Sequence, residues 1–325
     1  MELRPLGKSD LKIAPLMLGG NVFGWNVDAA ASFAILDAFV DAGFNAVDTA
    51  DTYSRWAPGH KGGESETVIG NWLKTSGKRD KVVIATKVGN DMGEGKSLKK
   101  DYVLRAAEAC LKRLQVDCID LLQTHFDDET TPVEETLGAY GQLIKQGKVR
   151  AIGASNMTPA RLKESLAASK VLGVPRYECL QPNYNLYDRA GFERDYAPIC
   201  RAEGLGVITY YSLAGGFLTG KYRSAEEAAK NRARGGKVQG YFDARGLAIL
   251  KALDVVAARH KATPAQIALA WLMAQPLVTA PIASATSLQQ LDDIMKAPQI
   301  KLTPDDVAAL DQASAAPIAG ASSLQ

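Results

Sequence analysis

Four residues able to hold or move a proton stand where short apolar runs finish. In GFNAVDTADTYSRWAPGHKGGESETVIG, residues 43–70, the run through Phe44, Ala46 and Val47 ends at Asp48, and Tyr53 follows it. VVIAT runs into Lys87, and CIDLLQT runs into His125. A phenol near an ammonium and a carboxylate is an acid–base unit, because the unperturbed phenol titrates at about 10 and a neighbouring cation lowers that value. On this reading Tyr53 donates a proton near neutral pH. Asp48 pairs with Lys87 and keeps it charged, and His125 hydrogen bonds a substrate oxygen. Reduction of a carbonyl needs such a donor facing a hydride source. The plainer alternative is a structural ion pair of Asp48 and Lys87 with Tyr53 and His125 packed beside it.

Residues at strand ends meet only if the strands converge, so the elements come next. After a hairpin-like start, with a turn over 7–10, strand-like and helix-like segments alternate almost to the end. Eight strands are expected at 15–18, 45–48, 82–86, 118–122, 149–153, 178–182, 207–211 and 278–282. Short apolar runs without strict alternation suit strands buried on both faces of a parallel sheet. Val103, Ala107, Cys110, Leu111 and Leu114 fall on one helical stripe, and Phe33, Leu36, Phe39 and Val40 do so more loosely. Thr-Pro marks helix starts at Thr131, Thr158, Thr263 and Thr303, with Glu134 and Asp306 in capping-box positions. The pattern predicts a (β/α)8 TIM barrel with a short N-terminal β-hairpin, in one domain over 1–325. In such barrels the C-terminal strand ends share one mouth, and the catalytic groups sit there.

A long connection after the seventh strand breaks the rhythm. It is rich in glycine and basic residues (Lys221, Arg223, Arg232, Arg234, Lys237) and reads either as a loop over the mouth or as a solvated surface excursion. The tail from 313 onward is small and polar enough to be loosely ordered.

Composition narrows the function. The 325 residues are 46% hydrophobic and 23% charged, the makeup of an ordinary globule. Thirty-eight basic and 36 acidic residues leave a net charge of +2, too even a balance to draw nucleic acid or an anionic membrane, so a small-molecule partner is expected. The start lacks a signal-peptide pattern and no run approaches the ~20 apolar residues of a membrane span, so the expected location is the cytoplasm. Cys110, Cys118, Cys179 and Cys200 form no CxxC and read as buried free thiols, with neither disulfide nor metal site.

Several segments together resemble the aldo-keto reductase family over nearly the whole chain: GFNAVDTADTY with GGESETVIGNWL, THFDD, GKVRAIGASN, QPNYNLYDR and YYSLAGGFLTGKY. The resemblance implies Tyr53 as general acid, Asp48 and Lys87 as its modulators, His125 as a substrate-orienting donor, and a nicotinamide cofactor extended across the mouth. It also implies that Ser155, Asn156 and Gln181 hold the carboxamide and that Tyr210 stacks on the nicotinamide ring. The loop 213–221, with Leu213, Gly215 and Lys221, would border the pyrophosphate. Ser284, Thr286, Gln290 and Asp293 would complete the cofactor site. Where the family often carries Lys or Arg for the 2′-phosphate of NADP, Ser287 and Gln290 stand here, so phosphate binding would fall to the long basic loop. The expected cofactor is NADPH, with NADH as a usable substitute.

No GxGxxG follows a strand, so a Rossmann site is not indicated. GGFLTGK at 215–221 fits most of a P-loop, but Tyr222 replaces the magnesium-binding Ser or Thr. Trp25, Trp56, Phe126 and Tyr184 are expected to wall a pocket for an apolar or ring-bearing carbonyl compound. The expected activity is reversible NAD(P)H-dependent reduction of an aldehyde or ketone. Two alternatives stay open: a Schiff-base enzyme using Lys87, and a non-catalytic nicotinamide-binding accessory subunit, since a similar barrel serves potassium channels.

Overall fold

The computed structural model describes residues 1–229 and 238–315. Arg232, Arg234 and Lys237 lie outside these residues, as does most of the tail. Two short strands, β1 (Arg4–Pro5) and β2 (Lys12–Ile13), pair antiparallel. Eight parallel strands follow: β3 (Met17–Gly19), β4 (Ala46–Asp48), β5 (Val83–Val88), β6 (Ile119–Thr124), β7 (Val149–Ser155), β8 (Tyr177–Gln181), β9 (Gly206–Thr209) and β10 (Val278–Ala283). They close in the order β10-β3-β4-β5-β6-β7-β8-β9, the expected (β/α)8 barrel with its hairpin.

The strands differ from expectation at their ends. β5, β6 and β7 run on to Val88, Thr124 and Ser155, with Lys87 paired in register with Gln123 and Ser155 with Gln181. The apolar runs stop earlier because polar side chains line the barrel near its mouth, and the backbone ladder continues regardless of what those side chains are. β9 is shorter than expected and stops at Thr209. At Gly153 of β7 a Cβ would meet Cys179 Sγ at 2.5 Å and Gln123 Cγ at 3.1 Å, so the glycine leaves room for the side chain of Gln123.

Two apolar clusters hold the elements. One lies between the barrel wall and the helices. The helix Lys100–Leu114 buries the expected stripe of Val103, Ala107, Cys110, Leu111 and Leu114. Ala29–Asp41 buries Ile35, Leu36, Phe39 and Val40, with Phe33 only partly covered. The second cluster fills the barrel from below: Leu6, Leu11, Ile13 and Met17 plug it against inward residues such as Ala46, Leu121 and Ile208. The hairpin is therefore the floor.

Thr158, Thr263 and Thr303 cap their helices, the last two in full capping boxes with Gln266 and Asp306. Thr131 does not. Its hydroxyl donates to Asp128 at 2.6 Å, and the helix Val133–Lys145 starts from Pro132 without a side-chain cap, so Glu134 closes no box. The helix begins at Val133, so Pro132 rather than Thr131 is the residue before it, and the Thr131 side chain stands one position too early to accept from the first-turn N–H groups.

The connection after β9 begins as a pinned turn. Ala214–Thr219 holds Gly215 and Gly216 at φ 67° and 104°, and Phe217 is buried against Tyr241 and Phe242. Arg223 is committed to Asp254 on the helix Ala244–His260 at 2.8 Å. No helix starts at Lys221; the next is Ala225–Ala229, which departs further from a P-loop.

Candidate active site

β4, β5 and β8 bring their last polar residues to one point. Asp48 ends β4, Lys87 is next to last in β5, and Gln181 ends β8; their exposures are 2%, 1% and 2%. Lys87 Nζ lies 2.7 Å from Asp48 Oδ1 and donates to Asp48 Oδ2, the Thr49 carbonyl and the Tyr53 hydroxyl, each at 2.8 Å. Tyr53 Oη lies 3.1 Å from Asp48 Oδ2, to which it donates. The structure thus assembles the three residues that the sequence separates by up to 39 positions.

Burial, followed by the charge of Asp48, pushes the Tyr53 phenol well above its ordinary value. This corrects the expectation that Lys87 would lower it: the lysine's charge is spent on Asp48, and desolvation of a phenolate outweighs what remains. Burial also lowers the Lys87 ammonium, against which Asp48 acts. Tyr53 is a neutral phenol at physiological pH and still carries its proton.

His125 follows β6, its backbone N–H bonded to the Val88 carbonyl at 2.8 Å and its ring 6.0 Å from that of Tyr53. Burial, then Lys87, holds the imidazole well below its usual value, so it is neutral and can donate a hydrogen bond without carrying charge. Nδ1 lies 3.4 Å from the Thr52 hydroxyl.

Around these groups stands an aromatic rim. Trp56 sits 5.9 Å from Tyr53, Trp25 meets Trp56 edge-on at 5.7 Å, and Phe126 lies 5.0 Å from His125. Trp56 is 53% exposed, so its face is open to a ligand. Tyr184 does not belong to the rim. It is 2% exposed, packs on Phe192 and Trp271, and its hydroxyl donates to Glu193, which makes it core.

The residues assigned to a cofactor fall into three groups. Asn156, at the unusual φ of 46°, donates to the His125 carbonyl and to Ser155 Oγ, and accepts from the Tyr210 hydroxyl at 3.0 Å. Asn156, Gln181 and Tyr210 line a cavity of about 430 Å³ beside the mouth. Ser155 Oγ donates to the Gln181 carbonyl, and Gln181 Nε2 donates to Asp48 Oδ1 at 2.9 Å. Those two side chains therefore brace the strand ends and the carboxylate. Leu213, Gly215 and Lys221 lie on the pinned turn, with Lys221 Nζ 4.8 Å over the Tyr222 ring. Ser284 meets Asn21 across the β3–β10 seam. Thr286 donates through N and Oγ1 to Gln290, while Ser287 caps the helix Leu288–Met295. Asp293 points elsewhere, fastening Thr263 and Gln266 at the start of the helix Pro264–Ala274.

Sequence reading missed Gln123, Asp51 and Glu66. Gln123 is wholly buried in β6 and bonded by Gln181 at 3.3 Å. A glutamine inside the apolar run CIDLLQT is the signal that could have found it.

The family model described as "Aldo/keto reductase family" matches residues 15–315. The chain is 35% identical over 313 residues to the uncharacterized oxidoreductase YrpG of Bacillus subtilis (strain 168), covering 93% of this chain and 92% of that one. It is 35% identical over 286 residues to the aldo-keto reductase str7 of Strobilurus tenacellus, covering 86% and 79%. It is also 32% identical over 322 residues to a probable voltage-gated potassium channel subunit beta of Oryza sativa subsp. japonica, covering 94% of each.

Proposed function

Because the chain belongs to the aldo/keto reductase family and is thereby an oxidoreductase, we propose that it reduces an aldehyde or ketone to the alcohol, reversibly, with Tyr53 as proton donor. One observation carries this reading: a neutral, partly buried phenol in direct contact with a lysine ammonium, at the mouth of a barrel, beside a neutral imidazole. The donor set fits a nicotinamide cofactor. Asn156 offers an amide group and Gln181 its side-chain oxygen, the nitrogen being taken by Asp48 and Gln123; Tyr210 offers a ring on the same cavity, and Lys221 offers a cation at the turn after β9. When bound, the reduced nicotinamide supplies the hydride.

The protein's own contribution is the proton and the charge around it. Tyr53 gives its proton to the carbonyl oxygen as that oxygen becomes an alkoxide, a base far stronger than phenolate. Lys87, 2.8 Å from the phenol oxygen, stabilises the phenolate left behind, and Asp48, held in turn by Gln181, fixes the lysine. His125 donates a hydrogen bond to the same carbonyl oxygen. Trp25, Trp56 and Phe126 would flank the substrate, which favours an apolar or ring-bearing carbonyl compound.

A Schiff-base role for Lys87 fits less well, since its amine is 1% exposed and bound by three groups. The likeness to a protein named as a potassium channel subunit leaves an accessory role as the second reading, but such a role has no need of the assembled proton donor. For the cofactor we propose a modest preference for NADPH, about tenfold for one charge-assisted contact, with measurable use of NADH. A panel of aromatic and aliphatic carbonyl compounds, incubated with NADPH or NADH and followed by loss of reduced-cofactor absorbance, tests the reading. Turnover of ring-bearing aldehydes or ketones is expected, and no turnover across the panel would refute it.

A further inference from the structure

Asp51 stands between Asp48 and Tyr53 on the loop after β4. It is 2% exposed, and neither carboxyl oxygen finds a hydrogen-bond partner among the protein groups. Its backbone N–H donates to the Lys87 carbonyl at 3.1 Å, which ties the loop to the lysine's strand. Nearby, Glu66 of the helix Glu64–Ser76 is fully buried and takes hydrogen bonds from Arg113 Nε at 2.6 Å and Thr86 Oγ1 at 2.5 Å. The cluster thus has three buried carboxyls (Asp48, Asp51, Glu66) and two cations, Lys87 buried and Arg113 partly exposed. Each cation is in contact with a carboxylate other than Asp51. A charge on Asp51 would be buried without an ion-pair partner, a costly way to keep one.

We propose that Asp51 is a positioning residue of the Tyr53 centre that carries a proton in neutral solution, balancing the cluster, and that losing this proton in mildly alkaline solution slows reduction. The second half rests on Tyr53 as the donor. The groups acting on Asp51 are Glu66, Arg113, Lys87, Tyr102, Cys110 and Tyr140. Burial, then Glu66, pushes its carboxyl up to about 8, against Arg113 and Lys87. Once ionised, Asp51 competes for the Lys87 charge that would stabilise the Tyr53 phenolate, so the phenol yields its proton less readily.

A carboxyl raised on folding contributes stability that is complete below its unfolded value of about 4 and is lost as pH rises to about 8. Urea melts of wild type and Asp51→Asn at about pH 5, 7 and 9 test the proton without using activity. The variant should gain on wild type up to about pH 8 and level off beyond it; a deficit that does not change with pH would show an ionised partner of Arg113 and overturn the proposal. Infrared spectra of wild type ask the same question should the variant fail to fold. A protonated-carboxyl band is expected at neutral pH and should vanish by about pH 9; its absence at neutral pH refutes the proposal. In kcat profiles, wild type should lose reduction through a midpoint near 8 and Asp51→Asn should lack that step. Identical profiles would overturn the link to Tyr53 even where the melts agree. A protein without reductase activity that nevertheless shows the expected melts would place the failure in the assignment of Tyr53.

Discussion

At the floor of the barrel Asp120 of β6 accepts from the Ile84 N–H and Arg150 at 2.9 and 2.7 Å and forms an ion pair with Arg79 at 2.9 Å, and Arg150 passes on to Asp10 of the hairpin turn. At the mouth Asp48 accepts from Lys87, Gln181 and Tyr53. Both carboxylates are almost wholly buried and both are saturated. The difference lies in the donors. The floor uses guanidinium groups and a backbone amide, none of which can part with a proton near neutral pH. The mouth includes a phenol, whose proton can leave while Lys87 remains to stabilise the oxygen. One arrangement only closes the barrel; the other closes it and, on the function proposed above, also keeps a reactive proton.

Breaking the mouth should have the largest effect. Lys87→Met leaves Asp48 buried without its cation and a Tyr53 phenolate without stabilisation. Carbonyl reduction should nearly vanish and stability should fall by about 3–5 kcal/mol, read by urea melts beside the rate assay. A variant that kept its rate and pH profile would reduce Lys87 to structure.

At the floor, Asp120→Ala should cost about 1.5–3 kcal/mol of stability, because Arg79 and Arg150 are partly exposed and can turn to water. Its kcat should match wild type below the melting transition. A kcat loss without a folding defect would break the division between the two ends.

The smallest expected effect sharpens the rim. Trp56→Ala removes one exposed aromatic wall, so KM for a ring-bearing carbonyl should rise roughly 2- to 10-fold with kcat unchanged, while KM for a short aliphatic aldehyde stays put. Equal changes for both substrates would remove the tryptophan from recognition.

Asp48, Tyr53, Lys87 and His125 were legible in the sequence because each follows an apolar run that could only be a buried strand, and eight such runs imply one mouth. The bracing of Asp48 by Gln181 was not legible, since the two residues are 133 positions apart and meet only on barrel closure. Tyr184 was misread because an aromatic after a strand can wall a pocket or fill the core, and only the meeting with Phe192, Trp271 and Glu193 decides it. Thr131 was misread because the helix starts at Val133, one residue later than the Thr-Pro pair implies, which leaves Pro132 at the capping position. The direction of the Tyr53 shift depended on burial, which spacing alone does not give.

The central claim is that the mouth keeps a proton that the Tyr53 hydroxyl delivers. Tyr53→Phe removes that oxygen and leaves the Asp48–Lys87 pair in place. The decisive measurement is single-turnover reduction by this variant with saturating NADPH, using a carbonyl compound that wild type turns over, after fluorescence titration has shown that the cofactor still binds. The account predicts a rate at least about 100-fold below wild type with cofactor affinity unchanged. A rate within a few-fold of wild type would contradict it.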